Sequence, residues 1–414
     1  MALKPKGRAR LRAIQFAVLF GTFLLATPTV LAQLRSLDVS QYLHTSWSAQ
    51  DGFFTGGINS VTQASDGYLW LTSSAGLLRF DGIRFVQWKP PAHESLPGAP
   101  LRPLLASKDG SLWIGGTGLA ELTATGEFRR YHQLDGIEVA ALVEGQDGAI
   151  WAGGVARPGS APLCRVFRTQ AECYGDTKYM GGWVDSLYED KKGRLWAGTN
   201  DGIWRVRPGL PQRVVPYPSV VRTFAEDASG TLLFSDAREV KALGDDGKVR
   251  NYPVLPDGKS LGAWKILRDR EGSLWFATGG QGLVHVHEGR VDRFTTLDGL
   301  AADAPKNVFQ DHEGSLWVTS NDSLDRFTKP AVPRITTKQG LPSNLVTSVV
   351  TRRDGTTWIA TDPGLSELSG NRPIGSNTRL SGHAVNSLFE TSNERLLVSV
   401  DVVHPSELDT WGQV

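Results

Sequence analysis

The phrase Asp66-Gly67-Tyr68-Leu69-Trp70 returns along the chain at intervals of 37 to 45 residues. Nine copies align on the last residue of this phrase, and seven of them keep tryptophan there. The nine positions of this tryptophan column are Trp70, Trp113, Trp151, Trp196, Leu233, Trp275, Trp317, Trp358 and Leu397. A period of about 40 residues predicts a repeat architecture.

Each copy divides into four short strands, which in the first copy are residues 58–62, 68–72, 77–80 and 83–88. The Asp66-Gly67 pair between the first two predicts a two-residue hairpin turn, because Asp-Gly tolerates positive φ angles. Four strands in about 40 residues are typical of a β-propeller blade. We expect the tryptophan rings to pack between blades and their N–H groups to bind backbone.

The longer repeat can be written from three segments of the seventh copy and its neighbours. They are Leu297-Asp298-Gly299-Leu300, Glu313-Gly314-Ser315-Leu316-Trp317-Val318-Thr319 and Ser323-Leu324-Asp325-Arg326-Phe327. This pattern resembles the two-component regulator propeller repeat, and the resemblance covers about residues 38–400. It implies the periplasmic sensor region of bacterial hybrid histidine kinases or of some diguanylate cyclases.

In that family fourteen repeats usually form two seven-bladed propellers, followed by a β-sandwich, a membrane helix and a cytoplasmic output domain. Nine repeats here predict an all-β fold with a seven-bladed propeller over residues 38–330. Residues 331–400 would form two blades of a truncated second propeller, followed by a non-repeat tail, 401–414. The resemblance implies an amino-terminal part of a sensor, with any kinase or cyclase outside this chain. Open blade edges predict self-association.

The first 32 residues have the pattern of a secretory signal peptide. Five basic residues lie in the first twelve positions, an apolar run covers 13–26, and small residues precede a cleavage site after Ala32. This predicts a periplasmic protein, the alternative being an inner-membrane protein anchored by an uncleaved signal. Cleavage removes five positive charges and no acids, so the formal charge falls from +1 to −4. Nucleic acid is therefore not an expected partner.

Cys164 and Cys173 are the two cysteines of the chain, and they lie nine residues apart in the longest insertion. In an oxidising compartment this spacing across a hairpin favours a disulfide. The alternative is a pair of free, buried thiols.

No Gly-rich phosphate loop and no Cys-x-x-Cys motif occurs in the sequence. His285-Val286-His287-Glu288 places two histidines on one strand face, but without a third ligand we expect a surface hairpin. Asp311-His312-Glu313 is expected to be a solvated turn. The sequence therefore predicts no catalytic residue, metal or cofactor. A propeller lyase or hydrolase acting on carbohydrate, or a scaffold for protein partners, are the alternative functions.

One variable column is the candidate recognition surface. It lies eleven residues before the tryptophan column, at the start of the strand expected to be innermost in each blade. Its members in the first seven copies are Asn59, Arg102, Ala140, Asp185, Arg222, Trp264 and Lys306. In a closed propeller these residues would surround one mouth of the channel and could bind a small molecule or an oligosaccharide. The alternative is an ordinary solvated rim. The predicted function is non-catalytic ligand sensing.

Overall fold

The computed structural model describes residues 37–157, 161–174, 180–207, 210–332, 334–369, 372–376, 380, 383–400 and 411–413. The predicted signal peptide and most of the predicted tail lie outside these ranges. The chain divides into two compact units, Tyr42–Ala331 and the remainder. Within the described ranges, no helix has the length and apolar character needed to cross a membrane.

The unit Tyr42–Ala331 consists of seven four-stranded antiparallel sheets, which are the blades. Six of them use four strands that are consecutive in sequence. Their strands are β2–β5 in blade 1 (Ile58–Gln63, Leu69–Ser73, Gly76–Phe80, Phe85–Trp88), β6–β9 in blade 2 (Leu104–Ala106, Leu112–Gly116, Gly118–Leu122, Phe128–Tyr131), β10–β13 in blade 3 (Glu138–Glu144, Ile150–Val155, Leu163–Phe167, Gln170–Tyr174), β14–β17 in blade 4 (Val184–Glu189, Leu195–Thr199, Gly202–Arg207, Gln212–Pro216), β18–β21 in blade 5 (Thr223–Glu226, Leu232–Ser235, Val240–Leu243, Val249–Asn251) and β22–β25 in blade 6 (Ala263–Arg268, Leu274–Thr278, Leu283–His287, Arg290–Phe294).

Blade 7 is completed by a strand from the other end of the unit. It contains β26 (Asn307–Gln310), β27 (Leu316–Thr319) and β28 (Ser323–Thr328), and β1 (Leu43–Ser48) pairs antiparallel with β28. The sequence did not predict this strand, because β1 precedes the first copy of the repeat. The borrowed strand ties the first and last blades together.

The first strands of successive blades contact one another around the ring, and β2 of blade 1 contacts β26 and β27 of blade 7. The ring is therefore closed at seven blades, with β2, β6, β10, β14, β18, β22 and β26 innermost. The predicted all-β propeller fold with four-stranded blades is confirmed.

The remaining unit contains two further sheets. Their strands are β29–β32 (Val346–Thr351, Thr357–Thr361, Gly364–Ser369, Arg372–Ser376) and β33–β35 (Val385–Glu390, Leu396–Val400, Trp411–Gln413). Leu345, Val346, Val349 and Phe389 expose apolar side chains on or beside the first strands of these sheets. Self-association through these blades stays a prediction.

Short 3₁₀ segments lie at Val39–Gln41, His132–Leu134, Met180–Gly182, Thr296–Asp298 and Thr337–Gln339.

The turn that joins the first two strands of a blade is a three-residue loop. In blade 1 the Ala64 N–H donates to the Tyr68 carbonyl and the Gly67 N–H donates to the Ala64 carbonyl, both at 3.0 Å. The expected two-residue turn is wrong, because only the glycine has a positive φ, as in a type I turn followed by a left-handed residue. In the ninth copy Glu394 occupies this position with φ 60°.

Six of the seven blades carry a tryptophan in this column, all six are buried, and five of them lie in the clusters between neighbouring blades. Three of their N–H groups donate to a carboxylate and not to backbone as predicted. The pairs are Trp196 with Asp190 at 2.9 Å, Trp275 with Asp269 at 2.8 Å and Trp317 with Asp311 at 2.7 Å.

Each of these carboxylates also accepts a backbone N–H of its own turn, for example Ser315 on Asp311 at 2.7 Å. Asp311 is therefore buried, and the solvated turn predicted for it is wrong, although His312 and Glu313 are exposed. Trp70, Trp113 and Trp151 have Ala64, Ser107 and Gly145 at the corresponding position. Among the described residues their N–H groups have no hydrogen-bond partner.

We call the face of the ring that carries these loops the turn face, and its blades are joined by a repeated hydrogen bond. A backbone N–H in one loop donates to a Glu or Gln side chain at the end of the first strand of the next blade. The pairs are Lys108 with Glu144, Gln146 with Glu189, Lys191 with Glu226, Arg270 with Gln310 and His312 with Gln63. The last pair joins blade 7 to blade 1 at 2.6 Å.

Cys164 and Cys173 lie opposite each other on the neighbouring strands β12 and β13 of blade 3. They form a disulfide, and their Cα atoms are 4.0 Å apart. The bond links the outer hairpin of this blade.

Candidate functional site

The seven residues of the variable column lie where the innermost strands begin, on the face opposite the turn face. We call them the rim. Four of them, Asn59, Ala140, Asp185 and Trp264, occupy β-bulges between the first and second strands of their blades. The other three, Arg102, Arg222 and Lys306, come one or two residues before their strands. A bulge takes a residue out of the regular ladder and re-aims its side chain, as is common beside binding sites.

Three rim residues from blades 4, 5 and 6 are in direct contact. An Arg222 guanidinium nitrogen lies 3.3 Å from a carboxylate oxygen of Asp185, and the guanidinium carbon lies 4.6 Å from the centre of the Trp264 ring. A cation above an indole face is attracted by the ring quadrupole. Asp185 and Trp264 therefore hold Arg222 between them at the channel mouth.

Arg102 of blade 2 belongs to the same electrostatic cluster. One of its guanidinium nitrogens lies 2.9 Å from a Glu138 carboxylate oxygen in blade 3. Burial raises the pKa of Asp185, and the charges of Arg222 and Arg102 oppose that increase. The positive charge of Arg102 thus favours the ionised form of Asp185 from two blades away. The blade between them, blade 3, contributes only the small Ala140 to the rim.

Lys265, directly after Trp264, is a candidate that the sequence prediction missed. Its side chain is exposed, and because β22 is an innermost strand, this exposed side chain lies beside the channel. Desolvation by the surrounding protein lowers its pKa. The signal was available in the sequence, since the equivalent residues of the other six blades are Ser60, Pro103, Ala141, Ser186, Thr223 and Asn307, none of them charged.

Two other rim residues are not joined to this cluster by a direct contact. The Asn59 amide donates to the Leu101 carbonyl at 2.8 Å and so serves the seam between blades 1 and 2. Lys306 is exposed. Within the described part of the chain neither Lys306 nor Lys265 has a carboxylate partner.

The rim residues together with Lys265 and Glu138 carry more positive than negative charge. Four side chains are cationic (Arg102, Arg222, Lys265 and Lys306) and two are carboxylates (Asp185 and Glu138). Hydrogen-bond donors, a carboxylate and an indole face are groups that bind sugars and organic anions. The excess of cations favours a ligand that carries negative charge.

Two clefts lie between blades on the turn face. One, of about 160 Å³, is lined by Lys192, Arg194 and Asp245, and another, of about 460 Å³, by Arg129 and Glu121 among others. Some charged groups of these clefts are paired, as Arg194 is with Asp190 at 2.5 Å. Arg129 likewise lies 2.5 Å from Glu127. At the rim, Lys306 and the neighbouring Lys265 have no carboxylate partner among the described residues, beside the Arg222–Trp264 contact.

His285 and His287 do not lie on a surface hairpin, so that prediction is wrong. Both side chains are buried, because their strand β24 is covered by the tryptophan of β23 and by the residues of β25.

The family model of the two component regulator propeller matches residues 178–201. The extracellular domain of the hybrid two component system BT3049 from B. thetaiotaomicron is similar, with 17% identity and a TM-score of 0.63 over 87% of this chain and 53% of that one. The corresponding domain of BT4673 from the same organism has 16% identity and a TM-score of 0.56, over 87% of this chain and 51% of that one. The chain spans about half the length of these two structures.

Virginiamycin B lyase from Staphylococcus aureus also shares the fold. It has 14% identity and a TM-score of 0.55, over 69% of this chain and 99% of the lyase. No curated protein matches the chain. The fold is thus common to sensor domains and to an enzyme, and identities this low support the fold alone. The chain is therefore a β-propeller protein, and its segment 178–201 matches the two component regulator propeller repeat that the sequence predicts.

Proposed function

We propose that the protein is a non-catalytic ligand-sensing propeller that acts in the periplasm and binds an anionic organic ligand, such as an acidic oligosaccharide, at the rim. One observation carries the proposal: Arg222 is held between Asp185 and the Trp264 ring, and the unpaired Lys265 is the next residue along the strand. An indole face can stack on a sugar ring while the guanidinium and ammonium groups bind its carboxylate.

Two further features support this proposal. The signal-peptide pattern of residues 1–32 and the Cys164–Cys173 disulfide both fit an oxidising compartment outside the cytoplasm. The similarity to extracellular domains of two-component sensors fits a sensing role.

The test is a calorimetric titration of residues 33–414 with oligogalacturonates and with neutral oligosaccharides of the same length. We expect the acidic probes to bind and the neutral ones to bind at least tenfold more weakly. Arg222→Gln and Trp264→Ala should each weaken binding by about tenfold or more, equivalent to about 1.4 kcal/mol.

The matched control is Arg250→Gln, on the outermost strand of the same blade as Arg222. Arg250 is exposed and pairs with Asp246 at 2.6 Å. This variant should bind like the wild type. Equal binding by Arg222→Gln and wild type would mean that the ligand binds away from the rim. Breakdown of the probe during the titration would mean that the protein is an enzyme and would contradict the proposed sensing function.

A further inference from the structure

A second buried polar cluster lies in blade 6, away from the rim. Trp275 of β23 pairs with His285 of β24, and His285 pairs with Asp292 of β25, so these three side chains form one row across the sheet. His287 lies two residues further along β24, on the same face of the sheet as His285. His285, His287 and Asp292 are all buried.

The donor atoms of this cluster converge. His287 Nε2 lies 2.5 Å from Asp292 Oδ2, and His285 Nδ1 lies 3.7 Å from the same oxygen. One donor atom from each of the three residues lies within 4.8 Å of the others. The His285 ring lies nearly parallel to the rings of Trp275 and His287, with ring centres 3.8 Å and 4.3 Å away.

His285 is left without a hydrogen bond. Among the described residues neither of its ring nitrogens has a hydrogen-bond partner, although both are buried. A buried polar group without a partner costs about 1–3 kcal/mol. A partner that the protein chain itself does not supply would remove this cost.

We propose that His285, His287 and Asp292 bind a divalent transition metal ion, with Zn²⁺ favoured by the donor set. Two imidazoles and one carboxylate are ligands that zinc accepts in tetrahedral sites, at about 2.0–2.2 Å from each donor atom. Such bond lengths place neighbouring donors roughly 3.3–3.5 Å apart. His285 Nδ1 and Asp292 Oδ2, which are 3.7 Å apart, are already close to this separation. The pair at 2.5 Å must open by about 1 Å, and one of the two stacked imidazoles must rotate so that the ion lies in both ring planes. A proton shared between the atoms of that pair leaves to solvent when the metal binds.

The position suggests a structural role. Tyr42, immediately before the closing strand β1, packs edge-on against Trp275, with ring centres 5.8 Å apart. His44 on β1 packs in the same way against Phe294 of blade 6, at 5.4 Å. A metal ion would therefore link β24 to β25 within blade 6, beside the two aromatic residues that pack against the closing segment. This site does not depend on ligand binding at the rim.

The experiment is a titration of chelator-treated full-length protein with Zn²⁺ by calorimetry and with Co²⁺ by visible absorption. We expect one metal ion per chain, cobalt absorption bands of tetrahedral intensity, and a rise in Tm with added Zn²⁺ as mass action requires. His285→Ala should lose all three signals.

The control is His132→Ala, which removes an exposed histidine that lies 2.9 Å from Asp135 and could bind metal adventitiously. This variant should retain one metal ion per chain. If His285→Ala does not fold, His287→Gln and Asp292→Asn replace it. The absence of stoichiometric Co²⁺ absorption in the folded wild type overturns the proposal whatever the variants do, as does full metal binding by His285→Ala.

Discussion

The two faces of the seven-bladed ring are built from the same strands but differ in how their side chains are used. On the turn face the same bonds recur from blade to blade: a backbone N–H reaches a Glu or Gln of the next blade at five seams. On the rim the residue type varies from blade to blade, with only arginine used twice, and the contacts join unlike groups, as between Arg222 and Trp264. Regular bonding holds the blades together, whereas variation leaves one surface for recognition.

The irregularities within the turn face support this division. At the two seams without the repeated bond, the acceptor position holds Ala106 or Arg268. Arg268 instead donates to the Asp227 carbonyl of the preceding blade at 3.1 Å. This hydrogen bond still joins the two blades, but its donor lies in the following blade and its acceptor in the preceding one. The turn face thus tolerates different residues as long as the blades remain connected.

The largest effect on the scaffold side of this comparison is expected for Asp311→Ala. This change removes the acceptor for the Trp317 indole and the Ser315 backbone, and we expect the free energy of unfolding to fall by about 2–3 kcal/mol. Asp109→Ala is the matched control, since Asp109 accepts the Ser111 N–H of its turn but not the indole of Trp113. It should cost about 1 kcal/mol in the same urea-unfolding measurement. Equal losses would mean that the indole bond contributes nothing.

A smaller loss is expected for Gln63→Ala, at the seam between blades 7 and 1. Gln63 accepts the His312 N–H at 2.6 Å and donates to Glu313 at 3.0 Å. Its removal should cost about 1–2 kcal/mol of unfolding free energy. Gln87→Ala, which breaks an exposed bond to the Ala75 carbonyl on an outer strand, should cost less than about 0.5 kcal/mol. A cost for Gln63→Ala no larger than this would remove the argument that the seam bonds stabilise the ring.

The smallest change in stability is expected for Lys265→Met, next to the rim residue Trp264. This variant should be more stable than the wild type, not less. Because desolvation lowers the pKa of Lys265 below 10.5 in the folded state, the charged form disfavours folding at neutral pH. Because the side chain is exposed and solvent screens its charge, methionine should raise Tm at pH 7 by no more than about 1 °C. As pH rises toward 10.5 the wild type loses the proton in both states and the difference should shrink. A thermal melt series from pH 7 to pH 10 checks this, and a lower Tm for the methionine variant at pH 7 would contradict it.

The sequence predicted the blades well and their contacts less well. The 40-residue period located the strands of blade 1 to within two residues, because turn glycines and alternating apolar residues are local signals. The closing strand β1 was missed, since strand pairing between the two ends of a chain leaves no periodic trace. The burial of His285 and Asp311 was also missed, because it depends on tertiary contacts, of His285 with the Trp275 ring and of Asp311 with the Trp317 indole. Lys265 could have been found as the one charge in its column.

The most direct test of the division between the two faces is amide hydrogen exchange of the full chain with and without oligogalacturonates. We predict slower exchange on addition of the probe at the starts of the innermost strands, in residues 184–189, 222–226 and 263–268, and unchanged exchange in the turn-face loops 64–68 and 107–111. Protection confined to the turn face, or saturating binding without protection at the rim, would contradict the account.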